Sequence, residues 1–304
     1  MAVLDIEGLS KSYGDTKAVQ DVTFAVEHGD VFGLVGPNGS GKTTTLGCAL
    51  GMLRADSGRV SLLGTPAEAI HRTLGRVGVV FDKTTLVDGL TCEQNLQYTR
   101  RLLGHDGGRP NAEALELTGI GDLAKRRAGR LSLGQRRRLS IARALIGKPE
   151  LIVLDEPLSG LDTVGVTNML KLFATLRDDG MTLVLSSHRL HEMETLVNRV
   201  AILMGGRLVA YETVDELLQG GKPRLRVRAT PTDRAQQVIA GLDGIESVDE
   251  FKEGELIVLP GAVPHAAVNA ALVAAGCEVS ALVPERITLQ SAFEALVEPD
   301  TVTT

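Results

Sequence analysis

The chain has 304 residues, of which 43% are apolar and 23% are charged, and these proportions are those of ordinary globular proteins. Disordered and fibrous architectures are thereby disfavoured, and the length predicts one large domain followed by a smaller one. The formal net charge is −6 and the longest basic run is Arg136 to Arg138, so we expect no nucleic acid partner.

The cysteine content and the hydropathy of the sequence indicate in which cellular compartment the chain works. Cys48, Cys92 and Cys277 are far apart and odd in number, which favours a reducing cytoplasm over a disulfide framework or a zinc site. The first ten residues carry acidic groups where a secretory signal would carry lysines, so we expect them to belong to the folded protein and not to a signal peptide. Residues 256 to 277 lack Asp, Glu, Lys and Arg, but their prolines and glycines predict a strand, a turn and an Ala-rich helix. Any membrane role is therefore expected to come through a partner.

The first two thirds of the chain has the pattern of an α/β protein. Residues 1 to about 35 alternate apolar and polar positions, which predicts antiparallel strands that lead to a buried strand. A Gly-rich loop and a helix follow, and residues 83 to 145 are mainly helical in pattern. The apolar runs at 151 to 155 and 182 to 186 are separated by a helix-length segment, which is typical of parallel strands covered on both faces.

Composition changes after Gly220 and Gly221. The remainder predicts the order strand, helix, strand pair, helix, strand and a last helix, which suits a small α+β sandwich. We therefore expect two domains, residues 1–220 and residues 221–304. The phosphate-loop pattern described next occurs once, so the chain holds one nucleotide site and no tandem repeat.

Residues 36 to 43 read GPNGSGKT, follow a predicted strand and open a predicted helix, which is the context a phosphate-binding loop requires. Glycines let successive backbone N–H groups turn towards phosphates, and the helix N-terminus adds its positive dipole. Lys42 is expected to reach the terminal phosphates and the Thr43 hydroxyl to bind Mg²⁺. A Gly-rich structural turn is the alternative. The predicted cofactor-binding set here is Gly36, Pro37, Asn38, Gly39, Ser40, Gly41, Lys42, Thr43 and Thr44.

A buried strand ends in two carboxylates at LIVLDE, residues 151 to 156, a costly placement unless a cation or a substrate meets them. Asp155 is expected to hold Mg²⁺. Glu156 points the other way and is expected to accept a proton from an attacking water. A solvated acidic strand end is the alternative, although the phosphate loop independently requires such a partner.

These segments, together with LSLGQ at 131–135, SGLD at 159–162 and LSSH at 185–188, resemble the ordered motif set of ABC-type ATPases. LSLGQ taken alone is also typical of a helix N-cap, and its position between the phosphate loop and LIVLDE gives it weight. The resemblance covers about residues 2 to 217. It implies a P-loop NTPase core with an antiparallel β subdomain and a helical subdomain, followed by the small α+β domain.

The family resemblance also implies roles for residues outside the phosphate loop. Tyr13 would stack on adenine, with a packed strand tyrosine as the alternative. Ser132, Gly134 and Gln135 would bind the γ-phosphate of ATP held by a second subunit. His188 would contact that phosphate and the attacking water, although a histidine at a strand end is often structural. Asp162 would lie at the dimer interface and link the two sites.

Two positions depart from the family pattern. Leu133 replaces the third-position glycine of the commonest signature, and we expect little functional loss. Asp82 follows the strand VGVVF where the family commonly has a glutamine. A carboxylate is a harder ligand than an amide but is one methylene shorter here, so Asp82 is expected to contact Mg²⁺ through a bound water. A solvent-facing loop aspartate is the alternative.

The resemblance implies an ATP-hydrolysing motor subunit of a membrane transporter in the drug and antibiotic exporter branch, with import as the nearest other function. Two copies, or this chain and a paralogue, would sandwich two ATP molecules and act on membrane subunits at the cytoplasmic face of the cell membrane. Residues from about 221 onward carry no catalytic pattern and are expected to regulate or stabilise the dimer, or merely to fill space. A soluble ABC-type ATPase that clamps a ribosome or DNA is the rival function.

Overall fold

The computed structural model describes residues 2–73, 75–83, 85–104, 108–220, 223–250, 254–285, 288–289 and 291–292. The chain divides into two compact units, Met1–Val214 and Asp215–Thr304. The sequence predicted this boundary near residue 220, at a pair of glycines. The structure places it earlier because a helix, Val214–Gly220, occupies the residues just before those glycines.

The first unit contains two β-sheets. One is antiparallel with the strand order β2-β1-β4-β5, and the other has the order β10-β9-β3-β8-β7-β6. The strands are β1 (Ala2–Tyr13), β2 (Thr16–Glu27), β3 (Val31–Val35), β4 (Ser57–Leu62), β5 (Thr65–Pro66), β6 (Val77–Val80), β7 (Leu151–Leu154), β8 (Thr182–Ser187), β9 (Arg199–Met204) and β10 (Arg207–Thr213).

The predicted strands at the N-terminus are confirmed. β1 and β2 pair antiparallel, and alternate residues of β2 are buried against the core. All five residues of β3 are buried, because this strand lies inside the second sheet between β8 and β9. Apolar residues from both sheets and from the first helix form one core cluster.

The second sheet is parallel except at one edge. β3 pairs parallel with β8 and β9, and β7 pairs parallel with β6 and β8, whereas β10 pairs antiparallel with β9. The two apolar runs predicted as buried parallel strands are β7 and β8, and every residue of both is buried. Because parallel strands end at the same edge, the residues that follow β3, β7 and β8 meet there.

Helices cover this sheet and build a second core. The helices of the first unit are α1 (Lys42–Ala49), α2 (Cys92–Leu103), α3 (Asn111–Leu117), α4 (Leu133–Ala144), α5 (Thr163–Asp178) and α6 (Leu190–Met193). Short 3₁₀ turns lie at 67–73, 121–123, 128–130 and 145–147. Buried residues of α2, α3 and α4 form their own apolar cluster, which confirms the mainly helical segment predicted for residues 83 to 145.

The second unit begins within α7 (Val214–Gly220). Its elements are β11 (Arg224–Thr230), α8 (Thr232–Ala240), β12 (Ser247–Glu250), β13 (Glu255–Leu259), α9 (His265–Ala274) and β14 (Glu278–Glu285). The sheet order β12-β13-β11-β14 with two crossing helices is the split βαβ, or ferredoxin-like, arrangement. Alternate residues of β11 are buried in a core of this unit's own.

The uncharged stretch from 256 to 277 forms β13, a turn and α9, as predicted. None of the described helices combines the length and the apolar character that a membrane crossing requires.

Candidate functional site

The phosphate loop connects the carboxyl end of β3 to the start of α1. Gly41 caps α1 with φ +103°, and a Cβ there would lie 2.4 Å from the Ala18 carbonyl oxygen, so only glycine fits. No side chain caps this helix, which leaves its first N–H groups available to an anion. Gly39 has φ +81° and no atom within 4 Å of where a Cβ would lie, so the loop backbone borders open space there.

Lys42 is folded back across this loop. Its side chain is 6% exposed, and its Nζ donates to the carbonyl oxygens of Gly36 at 2.7 Å and Pro37 at 3.2 Å. The same Nζ lies 3.5 Å from Glu156 Oε1. The ammonium is thus held beside the loop, where a terminal phosphate would be neutralised by it.

Thr43 and Asp155 meet at the edge of the sheet. Thr43 Oγ1 lies 3.2 Å from Asp155 Oδ2, and Asp155 is buried. Ser186, on the strand between β3 and β7, donates its hydroxyl to Asp155 Oδ1 at 2.5 Å. The same hydroxyl accepts the Glu156 amide at 2.9 Å. One serine therefore positions both acidic residues.

This donor set suits Mg²⁺. Within the described part of the chain, no three His, Cys, Asp or Glu residues gather into a metal-binding group. Mg²⁺ is commonly held by only one or two protein oxygens, with phosphate oxygens and waters completing the octahedron. One hydroxyl and one carboxylate beside a phosphate loop meet that requirement.

Glu156 adopts a left-handed backbone conformation with φ +48°, which is uncommon for a residue other than glycine and clusters at functional sites. Its Oε2 lies 2.9 Å from Nδ1 of His188, which follows β8. The Glu156 side chain is 17% exposed and that of His188 is 32% exposed. Carboxylate and imidazole thus meet where water reaches them, as a proton-accepting pair requires.

A single cleft gathers most of the predicted nucleotide-binding residues. It is lined by Tyr13, Ala18, Asn38, Gly39, Ser40, Gly41, Lys42, Thr43, Thr44 and Glu156. Tyr13 ends β1 with half of its surface exposed, which disfavours the alternative of a packed strand tyrosine. The Lys11 ammonium lies 5.7 Å from the Tyr13 ring centroid. The exposed ring at the rim offers a flat apolar face to a base.

The LSLGQ segment lies outside this cleft. Ser132 and Gln135 form a capping box at the N-terminus of α4: the Gln135 carboxamide oxygen accepts the Ser132 amide at 3.0 Å, and the Ser132 hydroxyl accepts the Gln135 amide at 3.4 Å. Asp162 caps α5 through Oδ1, which accepts the Gly165 amide at 2.8 Å. The helix N-cap that was the alternative for LSLGQ is therefore present in the structure, and the γ-phosphate role of Ser132, Gly134 and Gln135 stays a prediction.

Asp82 has a different partner from the one predicted. Its half-exposed carboxylate lies 2.6 Å from Arg137 Nη2. The partner shown by the structure is thus a guanidinium, and the metal role of Asp82 stays a prediction.

Comparisons with known proteins agree with this geometry. The family model of ABC transporters matches residues 19–159. The bacitracin transport ATP-binding protein of Bacillus licheniformis is 30% identical over 302 residues, which cover 99% of each chain. This chain belongs to the ATP-binding subunits of ABC transporters. The Nod factor export ATP-binding protein I of Rhizobium etli is 36% identical over 72% of each chain. The linearmycin resistance ATP-binding protein of Bacillus subtilis is 33% identical and covers 71% of this chain and 70% of its own.

Solved structures give the same fold for this ATPase subunit. An ATP-binding cassette of an ABC transporter in its ADP conformation superposes with a TM-score of 0.63 at 25% identity, over 72% of this chain and 95% of that chain. A dimeric cassette in a post-hydrolysis state bound to ADP and phosphate has a TM-score of 0.62 at 24% identity, over 69% and 98% of the two chains. The predicted P-loop NTPase fold and ATPase activity are confirmed.

Sequence reasoning missed three side chains of this subunit. Ala18 lines the cleft because β2 returns beside the phosphate loop. Ser186 joins both acidic residues, and its signal was its place in LSSH. Arg137 holds Asp82, and its signal was only a basic run on α4.

Proposed function

We propose that two ATP-binding subunits close on two ATP molecules, each held between the phosphate loop of one subunit and the N-terminus of α4 of the other. The observation that carries this proposal is that Ser132 and Gly134 open a helix outside the cleft of their own chain. A helix N-terminus is suited to an anion. A second subunit would supply that anion as a γ-phosphate.

Within each site, the residues around the cleft would have separate chemical roles. Thr43 and Asp155 would hold Mg²⁺, which when bound would offset negative charge on the phosphates. Lys42 would exchange its carbonyl partners for phosphate oxygens. Glu156 would take a proton from the water that attacks the γ-phosphorus, the bond from that phosphorus to the bridging oxygen would break, and ADP would leave. His188 would hold the Glu156 carboxylate and contact the γ-phosphate.

Shared sites have a kinetic consequence. If each site needs two subunits, the specific activity of the isolated chain should rise with protein concentration until the dimer saturates. The measurement is the rate of phosphate release per subunit over a dilution series that spans dimerisation. Specific activity that stays flat while sedimentation shows monomers would contradict the paired sites.

We further propose that this subunit drives export of a small, antibiotic-like molecule through membrane subunits on another chain, from the cytoplasmic face of the membrane. Support comes from the relatives named for bacitracin transport, linearmycin resistance and Nod factor export. The described residues supply no membrane-crossing helix, so the pathway would belong to the partner.

Purification of the full-length chain from its own cells in mild detergent tests the partner. A polytopic membrane protein that copurifies in a fixed ratio is expected. Ribosomes or DNA in its place would overturn the transport proposal in favour of the clamp.

A further inference from the structure

Arg137 is a buried cation at the junction of three segments. It lies on α4 with only 3% of its side chain exposed. Its Nη2 donates to Asp82 Oδ1 at 2.6 Å and to the Ser159 carbonyl oxygen at 3.3 Å, and its Nη1 donates to the Phe81 carbonyl oxygen at 3.5 Å. The guanidinium thus joins the loop after β6, the loop after β7 and the helix that begins with the signature.

The loop after β7 connects this guanidinium to the proposed base. The Ser159 amide donates to the Glu156 carbonyl oxygen at 3.2 Å, so the group held by Arg137 belongs to the turn that carries Glu156. The same loop continues to Asp162, which caps α5. A shift of the Ser159 carbonyl would therefore move the turn on which Glu156 adopts its positive φ.

Leu133 reinforces the contact from the same face of α4. Residues 133 and 137 are four apart and so lie on one side of the helix. A Cβ placed on Gly160 would meet Leu133 Cδ2 at 3.0 Å, which shows that this side chain lies directly against the turn. The leucine that departs from the commonest signature thus packs where the guanidinium of Arg137 binds.

The buried guanidinium of Arg137 has few polar partners. Its buried Nε has no hydrogen-bond partner among the described residues, and Asp82 is the carboxylate paired with it. A buried charge that loses its partner is destabilising, so the Asp82 carboxylate and the Arg137 guanidinium should depend on each other. A glutamine at position 82 would offer no such charge.

We infer that Arg137 is a positioning residue: through Asp82 and Ser159 it ties both loops of one nucleotide site to the helix whose N-terminus serves the ATP of the second subunit. This inference rests on the proposed paired sites. Its consequence is that Asp82 and Arg137 act as a unit on the rate of hydrolysis, and act little on the binding of ATP.

The neighbouring pair Arg136–Asp88 is a matched control. Arg136 Nη1 lies 2.6 Å from Asp88 Oδ1, the same separation as in the inferred pair. Arg136 also bonds the Ala128 carbonyl oxygen, away from the turn of Glu156. Removing this second pair takes one arginine and one aspartate from the same two segments without touching Ser159.

The experiment uses full-length Arg137→Gln, Asp82→Asn and their double variant, beside Arg136→Gln and Asp88→Asn. In nucleotide-free protein, hydrogen–deuterium exchange should become faster in peptides covering 81–83 and 156–162 for the first three variants and stay parental for the controls. The kcat for ATP should fall about tenfold to a hundredfold with little change in KM, because a displaced catalytic group costs rate more than binding. The double variant should be no worse than Arg137→Gln alone.

Arg137→Lys adds a graded arm and replaces Arg137→Gln if that variant does not fold. A lysine ammonium keeps the charge opposite Asp82 but has no second nitrogen to replace Nη1, which donates to the Phe81 carbonyl oxygen, so its kcat should lie between those of the parent and the Gln variant. Additive losses in the double variant, or exchange and kcat of the Arg137 variants equal to those of the Arg136 control, would overturn the inference. Failure of the proposed paired sites would give a different result, because the specific activity of the parent would then not change on dilution. Hydrogen–deuterium exchange of the nucleotide-free variants would still test the contact of Arg137 with Asp82 and Ser159.

Discussion

The phosphate-loop cleft and the LSLGQ segment, the two halves of the proposed shared nucleotide site, differ in how far the chain itself assembles them. The cleft is lined by residues of β1, β2, the loop after β3 and the turn after β7, and its charged residues Lys42 and Glu156 already have partners within the chain. At the N-terminus of α4, the side chains of Ser132 and Gln135 bond to each other's backbone amides.

The difference has a physical origin. Parallel strands bring their carboxyl ends together, so groups distant in sequence are assembled by folding alone. The α4 terminus belongs to the separately packed helical cluster, and in the proposed dimer its anion would come from the second subunit. If two subunits share each site, one chain is expected to contain both regions: a cleft that its own strands assemble, called here the complete half, and a helix terminus that acts on the nucleotide of the other subunit.

The largest expected effect is at the base of the complete half. Glu156→Gln should lower kcat by about a hundredfold or more, since general base catalysis contributes roughly 10²–10⁴, while ATP binding persists and a nucleotide-trapped dimer accumulates. Phosphate release and gel filtration with ATP measure both. Glu150→Gln is the matched control, because Glu150 is an exposed residue paired with Arg76 just before the same strand. Near-parental hydrolysis by Glu156→Gln would assign the proton to another group.

The support beneath that base comes next. Ser186→Ala removes the hydroxyl shared by Asp155 and Glu156 and should lower kcat by about tenfold, because a hydrogen bond to a charged group is worth roughly 1.5–3 kcal/mol. Ser187→Ala, on the same strand, removes a hydroxyl that bonds the Arg189 backbone and should have little effect. Equal rates for the two variants would show that Ser186 does not position the carboxylates.

A Mg²⁺ titration distinguishes the two roles considered for Asp82, a contact to the metal through water and the ion pair with Arg137. Because Arg137 already holds the carboxylate, Asp82→Asn should lower kcat without raising the free Mg²⁺ needed for half-maximal hydrolysis. Rate curves against free Mg²⁺ at matched ionic strength measure this, with Asp88→Asn as control. A higher Mg²⁺ requirement in Asp82→Asn alone would return the carboxylate to the metal's water shell.

The smallest effect is expected outside both halves. The second unit has its own core, and all of the described residues that line the cleft belong to the first unit. Truncation after Gly220 should therefore leave the Kd for ATP unchanged, as equilibrium binding would show. Weaker ATP binding by a folded truncation would mean that the second unit helps to build the site.

How much of this was readable from the sequence follows from the same geometry. GPNGSGKT and LIVLDE each carry their context with them, so the loop, the helix and the strand-end carboxylates were predicted residue by residue. Strand order is not written in any local segment, and the place of β8 between β3 and β7 is what puts Ser186 under both acids. The Asp82–Arg137 pair joins residues 55 positions apart, and no local period marks it.

Mixing inactive subunits tests the shared site most directly. Ser132→Arg blocks the α4 terminus and Glu156→Gln removes the base, so each variant alone should be nearly inactive. A random equal mixture should recover up to about one quarter of parental activity, since half of the dimers then contain one intact site of two. An excess of a subunit that carries both Ser132→Arg and Glu156→Gln should suppress the activity of the parent, because each site of the mixed dimer then lacks one of its two halves. A mixture no more active than its separate components, together with a parent unaffected by that excess, would contradict the account.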